Sequence, residues 1–206
     1  MTKEKVMLRY CPQCFKAKRA CICQWITSIN SRSELIILQH PSEEKRPLGT
    51  AKILQLSLPS TQVFIGEDFS DDTALNALLA DDSVRTCVLF LGEQSQPLEQ
   101  LDQTHDTRPF RIILLDGTWK KAYKIWTLST NLHKLPMVQL PTDLEGDYRI
   151  RKAPTSNALS TVEAGYHILS ILEPEQDFSA LLFAFNQMIE FHISQMPPGV
   201  FERNYE

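Results

Sequence analysis

Two groups of residues in this 206-residue chain have types and spacing suited to chemistry. The first is Cys11-x2-Cys14-x6-Cys21-x-Cys23, four thiols within thirteen residues. That spacing brings four thiolates within reach of one tetrahedral zinc, so residues 1–30 read as a zinc-binding element. Its flanks carry Lys3, Lys5, Arg9, Lys16, Lys18 and Arg19 against Glu4 alone, in a protein of formal net charge -4. A basic knuckle on an acidic body suggests docking to a polyanion such as nucleic acid, through cations such as Lys16, Lys18 and Arg19. The rival reading is a pair of disulfides. The one other cysteine, Cys87, sits in the apolar run Cys87-Val88-Leu89-Phe90-Leu91, and no cleavable signal peptide is expected ahead of the cluster, so an oxidising compartment has little support. Cys87 reads as a small buried hydrophobe.

The second group is Asp116-Gly117-Thr118-Trp119, which follows the apolar run Arg111–Leu115 and precedes a helical pattern. A carboxylate presented between a buried strand and a helix is a candidate general base, metal ligand or hydrogen-bond anchor. Its structural alternative is a helix N-cap, a task Thr118 could share, and Trp119 could equally be a core aromatic. Farther along, Arg149-Ile150-Arg151-Lys152-Ala153-Pro154 is followed by Ser160-Thr161-Val162-Glu163-Ala164. The spacing of Ser160 and Glu163 is that of a capping box, which accounts for Glu163 structurally but leaves the cations unexplained. His40, beside Pro41, forms a third and smaller cluster with Glu43.

The elements that must position these residues alternate in type. Leu35–Leu38, Val63–Ile65, Thr86–Leu91, Arg111–Leu115 and Met137–Leu140 read as strands. Thr50–Leu58, Asp71–Leu79, Lys120–Leu128 and two closing segments near 158–172 and 176–195 read as helices. The alternation predicts an α/β fold, a mainly parallel sheet flanked by helices, occupying residues 31–206. In such sheets ligands collect outside the carboxyl ends of the strands, so the polar loops after them should converge. No G-x-G-x-x-G or Walker sequence is present, which weakens ordinary dinucleotide and P-loop readings.

Charge is segregated by sign. Residues 67–106 hold ten acids and a single Lys or Arg, Arg85, and should repel phosphate. Residues 108–134 carry Arg108, Arg111, Lys120, Lys121, Lys124 and Lys134 against Asp116 alone, and Arg149, Arg151 and Lys152 follow. A solvated face is the plain alternative to a nucleic-acid surface there. No apolar stretch approaches bilayer length, and a cytoplasmic protein is expected. The apolar residues Leu181, Leu182, Phe183, Phe185, Met188 and Ile189 could pack on the chain's own sheet, which favours a monomer.

Taken together, the motifs resemble the DTW-domain family. Asp116-x-Thr118-Trp119 matches its D-x-T-W signature. Arg151-x-x-Pro154 with Ser160-Thr161-x-Glu163-Ala164 matches its second block, His40-Pro41-x-Glu43 its H-P-x-E segment, and the cysteines its C-x2-C…C-x-C element. The four blocks occur in order over nearly the whole chain. One departure is Leu91-Gly92-Glu93, where a proline would be expected before the glycine.

The resemblance implies a SPOUT-like knotted core and a tRNA-uridine aminocarboxypropyltransferase, with the short bacterial branch most similar and a variable-loop uridine as target. Such enzymes transfer the 3-amino-3-carboxypropyl group of S-adenosylmethionine to uridine N3 and release methylthioadenosine. It further implies Asp116 as base, and S-adenosylmethionine contacts from Leu91, Gly92, Leu114, Asp116, Thr118, Trp119, Arg151, Pro154, Ser160, Thr161 and Glu163. Arg151 is placed to meet either the methionine carboxylate or an RNA phosphate. RNA contacts would come from His40, Lys120, Lys121 and Arg149 with the knuckle cations, and the zinc would be structural. Two alternatives are a SPOUT-like RNA methyltransferase and a non-catalytic zinc-dependent RNA-binding protein.

Overall fold

A computed structural model describes residues 9–101, 106–144, 146–150 and 159–205. Six strands form one sheet: β1 (Glu34–Gln39), β2 (Gln62–Ile65), β3 (Arg85–Leu89), β4 (Gln96–Pro97), β5 (Phe110–Asp116) and β6 (Met137–Gln139). Their order is β2-β1-β5-β3-β6-β4, and every neighbouring pair is parallel. The helices are α1 (Ala51–Ser57), α2 (Thr73–Leu79), α3 (Leu98–Leu101), α4 (Trp119–Leu128), α5 (Thr161–Leu172), α6 (Ser179–Ser194) and α7 (Val200–Tyr205). The expected α/β sheet is therefore present. The pairing of β4 with β6, the short α3 and the terminal α7 add to the elements read from sequence.

Both faces of the sheet are buried, which is why its central strands read as unbroken apolar runs. Leu35 and Ile37 of β1 and Ile112 and Leu114 of β5 point to one side, where they pack with Ile53 and Leu54 of α1, Val162, Ile168 and Leu169 of α5, and Leu181 and Phe185 of α6. Ile36, Leu38, Val88 and Ile113 point to the other, against Leu75 of α2 and Ile125 of α4. Gly165 lets α5 approach α1 closely; a Cβ there would lie 2.8 Å from both methyls of Leu54. Leu181, Phe185, Met188 and Ile189 of α6 are buried within this chain, whereas Phe183 is exposed.

The chain leaves β1 for α1 on the first face and leaves the adjacent β5 for α4 on the second. Neighbouring strands whose exits diverge to opposite faces open a crevice at their carboxyl ends. The residues at that opening are Gln39 and Asp116, paired across β1 and β5.

The cysteine knuckle precedes β1. Two single-turn 3-10 helices, Lys18–Ala20 and Cys23–Trp25, lie within it, and Phe15 takes a left-handed φ of 58° between the first two cysteines and the next pair. Cys14, Ile22 and Ile29 join the core of the first face, so the knuckle shares the body's apolar packing.

Candidate functional site

Asp116 ends β5, and its carboxylate reaches across the crevice instead of capping α4. The N-cap position is Thr118, whose side chain makes no capping hydrogen bond. Asp116 Oδ2 accepts from Gln39 Nε2 at 2.7 Å, and Oδ1 accepts from the Thr161 hydroxyl at the start of α5. The backbone continues the ladder, with His40 N donating to the Asp116 carbonyl at 3.0 Å. Only 8% of Asp116 is exposed. Gln39 and Thr161, two neutral donors, orient the carboxylate, one at each oxygen.

Thr161 is held in place by its neighbours. Ser160 and Glu163 form the expected capping box: Ser160 N donates to Glu163 Oε2 at 2.6 Å, and Glu163 N to Ser160 Oγ at 3.4 Å. The other Glu163 oxygen accepts from Asp147 N at 2.6 Å, tying the loop before α5 to its first turn. Buried and doubly bonded, Glu163 fixes the position from which Thr161 addresses Asp116. Tyr148 anchors the same loop through its hydroxyl, 2.7 Å from the Leu48 carbonyl.

From His40, next to Gln39, runs a series of hydrogen bonds and ion pairs. His40 Nε2 sits 2.7 Å from Glu67 Oε1, while its Nδ1 accepts from Ser42 N at 3.2 Å. That acceptance places the imidazole proton on Nε2, toward Glu67. Lys124 joins Glu67 at 2.5 Å and holds its carboxyl below the ordinary range. Lys121 donates to Ser42 Oγ at 2.6 Å and Glu43 Oε1 at 2.7 Å, and Glu43 also meets Arg46 at 3.0 Å. Gly117 permits this compact turn, since a Cβ there would sit 2.9 Å from Lys121 Cβ.

The remaining candidates scatter. Leu114 is buried in the sheet, and Leu91 is exposed beside Gly92, whose amide donates to Ser95 Oγ at 2.8 Å. Trp119 projects outward, 59% exposed, its ring centroid 6.1 Å from Phe90. Lys18, Arg19 and Lys120 are exposed. Lys16 is 7% exposed, and its ammonium donates to the carbonyls of Pro47 at 2.6 Å and Gly49 at 3.1 Å, pinning the knuckle to the loop after β1. Burial lowers its pKa to about 8. Arg149 pairs with Glu190 at 2.6 Å on α6. Arg151 and Pro154 lie outside the described residues. Gln39 and Glu67 are site residues that sequence reading did not single out.

In the knuckle, all four Sγ atoms lie within 4.8 Å of one another, with Cys11 and Cys23 at 3.6 Å and Cys14 and Cys21 at 3.8 Å. All four are free thiols, well beyond the bonding distance of a disulfide. A tetrahedron with metal–sulfur bonds of 2.3 Å has edges of about 3.8 Å, so the cluster fits one metal ion. Backbone amides of Cys14 and Gln13 lower the Cys11 thiol to about 6, whereas burial raises Cys21 and Cys23.

A family model described as the DTW domain matches residues 8–193. The chain belongs to the DTW-domain family. Among its relatives, tRNA-uridine aminocarboxypropyltransferase 2 of Drosophila melanogaster is 36% identical over 180 residues, covering 82% of this chain and 70% of that protein. The Mus musculus protein of the same name is 34% identical over 168 residues, covering 79% and 56%. tRNA-uridine aminocarboxypropyltransferase A of Arabidopsis thaliana is 24% identical over 217 residues, covering 91% and 82%. The chain thus spans little more than half the mouse protein's length. These relatives are animal and plant proteins and do not bear out the expected placement in a bacterial branch. No solved structure matches. Among the described residues of this DTW-domain protein, no helix is long and apolar enough to cross a membrane.

Proposed function

We propose that this DTW-domain protein transfers the 3-amino-3-carboxypropyl group of S-adenosylmethionine to N3 of a tRNA uridine. The observation that carries the reading is the Asp116 carboxylate, held by Gln39 and Thr161 at the opening between β1 and β5, in a family whose relatives bear that activity in their names. Uridine N3 attacks the γ-carbon of the methionine moiety, the carbon–sulfur bond breaks, and methylthioadenosine leaves with the electron pair. Asp116 accepts the N3 proton as the new carbon–nitrogen bond forms and passes it to solvent. A carboxylate is a weak base for so weak an acid, so holding the reactants in line contributes more than basicity.

Within this reading Thr161 and Gln39 are positioning residues, Thr118 and Trp119 border the S-adenosylmethionine site, and Arg151 binds the methionine carboxylate or an RNA phosphate. Zinc occupies the four-cysteine knuckle (residues 1–30) as a structural ion, appended to a catalytic body with a SPOUT-like knot (residues 31–206). The target is a variable-loop uridine, and the enzyme acts as a cytoplasmic monomer.

Mass spectrometry of a reaction containing purified protein, S-adenosylmethionine and unmodified tRNA tests this. Aminocarboxypropyl-uridine together with methylthioadenosine is the expected pair. Methyl-uridine with S-adenosylhomocysteine would make the protein a methyltransferase. Binding of tRNA with no turnover would make it a non-catalytic RNA-binding protein.

A further inference from the structure

Helix α4 carries a second pattern, of which the reading above uses only Trp119, at the edge of the S-adenosylmethionine site. Trp119, Tyr123 and Trp126 recur at helical spacing and share one side of α4, and all three rings gather around Phe90, at centroid distances of 6.1, 6.5 and 4.8 Å. The row continues to His133, whose ring lies 4.7 Å from that of Trp126. Beyond it opens a cleft of about 420 Å³ lined by Gln94, Gln96, Trp126, His133 and Met137. Core packing accounts for Phe90, which is buried, but not for Trp119 and Tyr123, which are 59% and 62% exposed. Solvent-facing aromatic rings grouped beside an open cleft form a patch of the kind that marks an interaction site, and flat rings suit a partner with flat faces.

Charge indicates which partner. Lys120 and Lys124 run alongside the aromatic row one turn apart, and Lys134 follows in the next turn of chain. Lys124 is neutralised by Glu67, whereas Lys120 and Lys134 are exposed and make no ion pair among the described residues. Rings for stacking beside cations for phosphate form the usual surface for unpaired nucleotides. The side-chain amides of Gln94 and Gln96 place both donors and acceptors at the cleft, as the edge of a base requires. The row begins three residues after Asp116, where the chain leaves β5.

We propose that Trp119, Tyr123 and the cleft between Trp126 and His133 form a track for the unpaired nucleotides flanking the target uridine. Bases stack on Trp119 and Tyr123, a further base enters the cleft, and Lys120 and Lys134 meet phosphates. This rests on the tRNA-modification reading and adds to it the residues that select the single-stranded context.

The test compares the full-length wild-type protein with Tyr123→Ala, Tyr123→Phe and His133→Ala. It measures affinity for unmodified tRNA, affinity for S-adenosylmethionine alone, and steady-state transfer. Loss of one stacked base predicts tRNA binding weakened by about 5- to 150-fold in Tyr123→Ala. KM for tRNA should rise in step, kcat at saturating tRNA and the affinity for S-adenosylmethionine should hold, and Tyr123→Phe should recover binding. His133→Ala should weaken tRNA in the same selective way. If wild type modifies tRNA and Tyr123→Ala binds it equally well, the track is refuted while the enzymatic reading stands. If Tyr123→Ala loses S-adenosylmethionine and not tRNA, the row is a wall of the co-substrate site and the track is again refuted. If wild type neither binds nor modifies tRNA, the functional reading falls and the track falls with it.

Discussion

Replacing Asp116 by asparagine separates proton transfer from architecture. The amide has the shape of the carboxylate, and the surroundings can adapt: Gln39 Nε2 still meets the amide oxygen, and the Thr161 hydroxyl turns to accept from the new NH2 group. With Gln39 and Thr161 both still paired, stability should fall by about 1 kcal/mol or less. Alanine is the poorer choice, because it would leave the Gln39 amide without its partner at a buried position, costing about 1–3 kcal/mol and confusing the readout. The asparagine cannot take the N3 proton. General-base assistance contributes about 10²- to 10⁴-fold, so kcat for aminocarboxypropyl transfer should drop by that factor with little change in tRNA affinity. Thr161→Val keeps the carboxylate but removes a hydrogen bond to a charged group, worth about 1.5–3 kcal/mol, and should lower kcat by at most roughly 10- to 150-fold. Single-turnover transfer to tRNA, followed by mass spectrometry, measures both, with thermal unfolding confirming the fold. Asp116→Asn protein that is folded and transfers at the wild-type rate would refute the assignment of Asp116 as base.

Three further outcomes follow from packing and charge. Elemental analysis should find one zinc per chain, and Cys21→Ser or a strong chelator should remove it; because Cys14 and Ile22 are part of the main core, the melting temperature should fall by roughly 10 °C or more. Gly165→Ala places a Cβ 2.8 Å from both Leu54 methyls, which should destabilise by about 1–3 kcal/mol in urea unfolding; a neutral result would mean that α5 and α1 can separate freely. Glu173 is buried, which opposes its charge, yet donors from Ser31, Arg32 and Ser33 hold its pKa below the ordinary 4.5. A depressed folded value means the unfolded chain binds the proton more readily, so this contribution is complete above about pH 4.5 and is lost as pH falls through the folded value. Glu173→Gln should therefore be less stable than wild type at pH 7, by about 1–3 kcal/mol in urea midpoints, and the gap should close on acidification; a gap independent of pH would discard the carboxylate's role.

The sheet was legible because β1, β3 and β5 are apolar on both faces, and a strand covered on both sides shows itself as an unbroken run. The helix read over Asp71–Leu79 is present but starts at Thr73, because Asp72 stands outside it as the N-cap and its side chain accepts from Leu75 N at 2.8 Å. The strand β4 carries only Gln96 and Pro97, and α3 only one buried side chain, Leu98, so neither had a period to display.

The site divides along a similar line. Asp116 and Thr161 stand in local motifs with an evident start or stop of an element, whereas Gln39 looks like an ordinary polar strand end. Its meaning comes from register, which sets it opposite a residue 77 positions away. A polar residue closing an apolar strand just before His40-Pro41 was the one available signal. Charge misleads most where a counter-charge folds back on it. Glu67 belongs to an acidic run that reads as a phosphate-repelling surface, yet it binds His40 and Lys124 at the crevice. Lys16 belongs to a basic run, yet its ammonium is taken up by two backbone carbonyls. What composition assigns to a surface is thus only the charge left over after such pairing. Along α4 that remainder is Lys120, beside rings that the core does not claim.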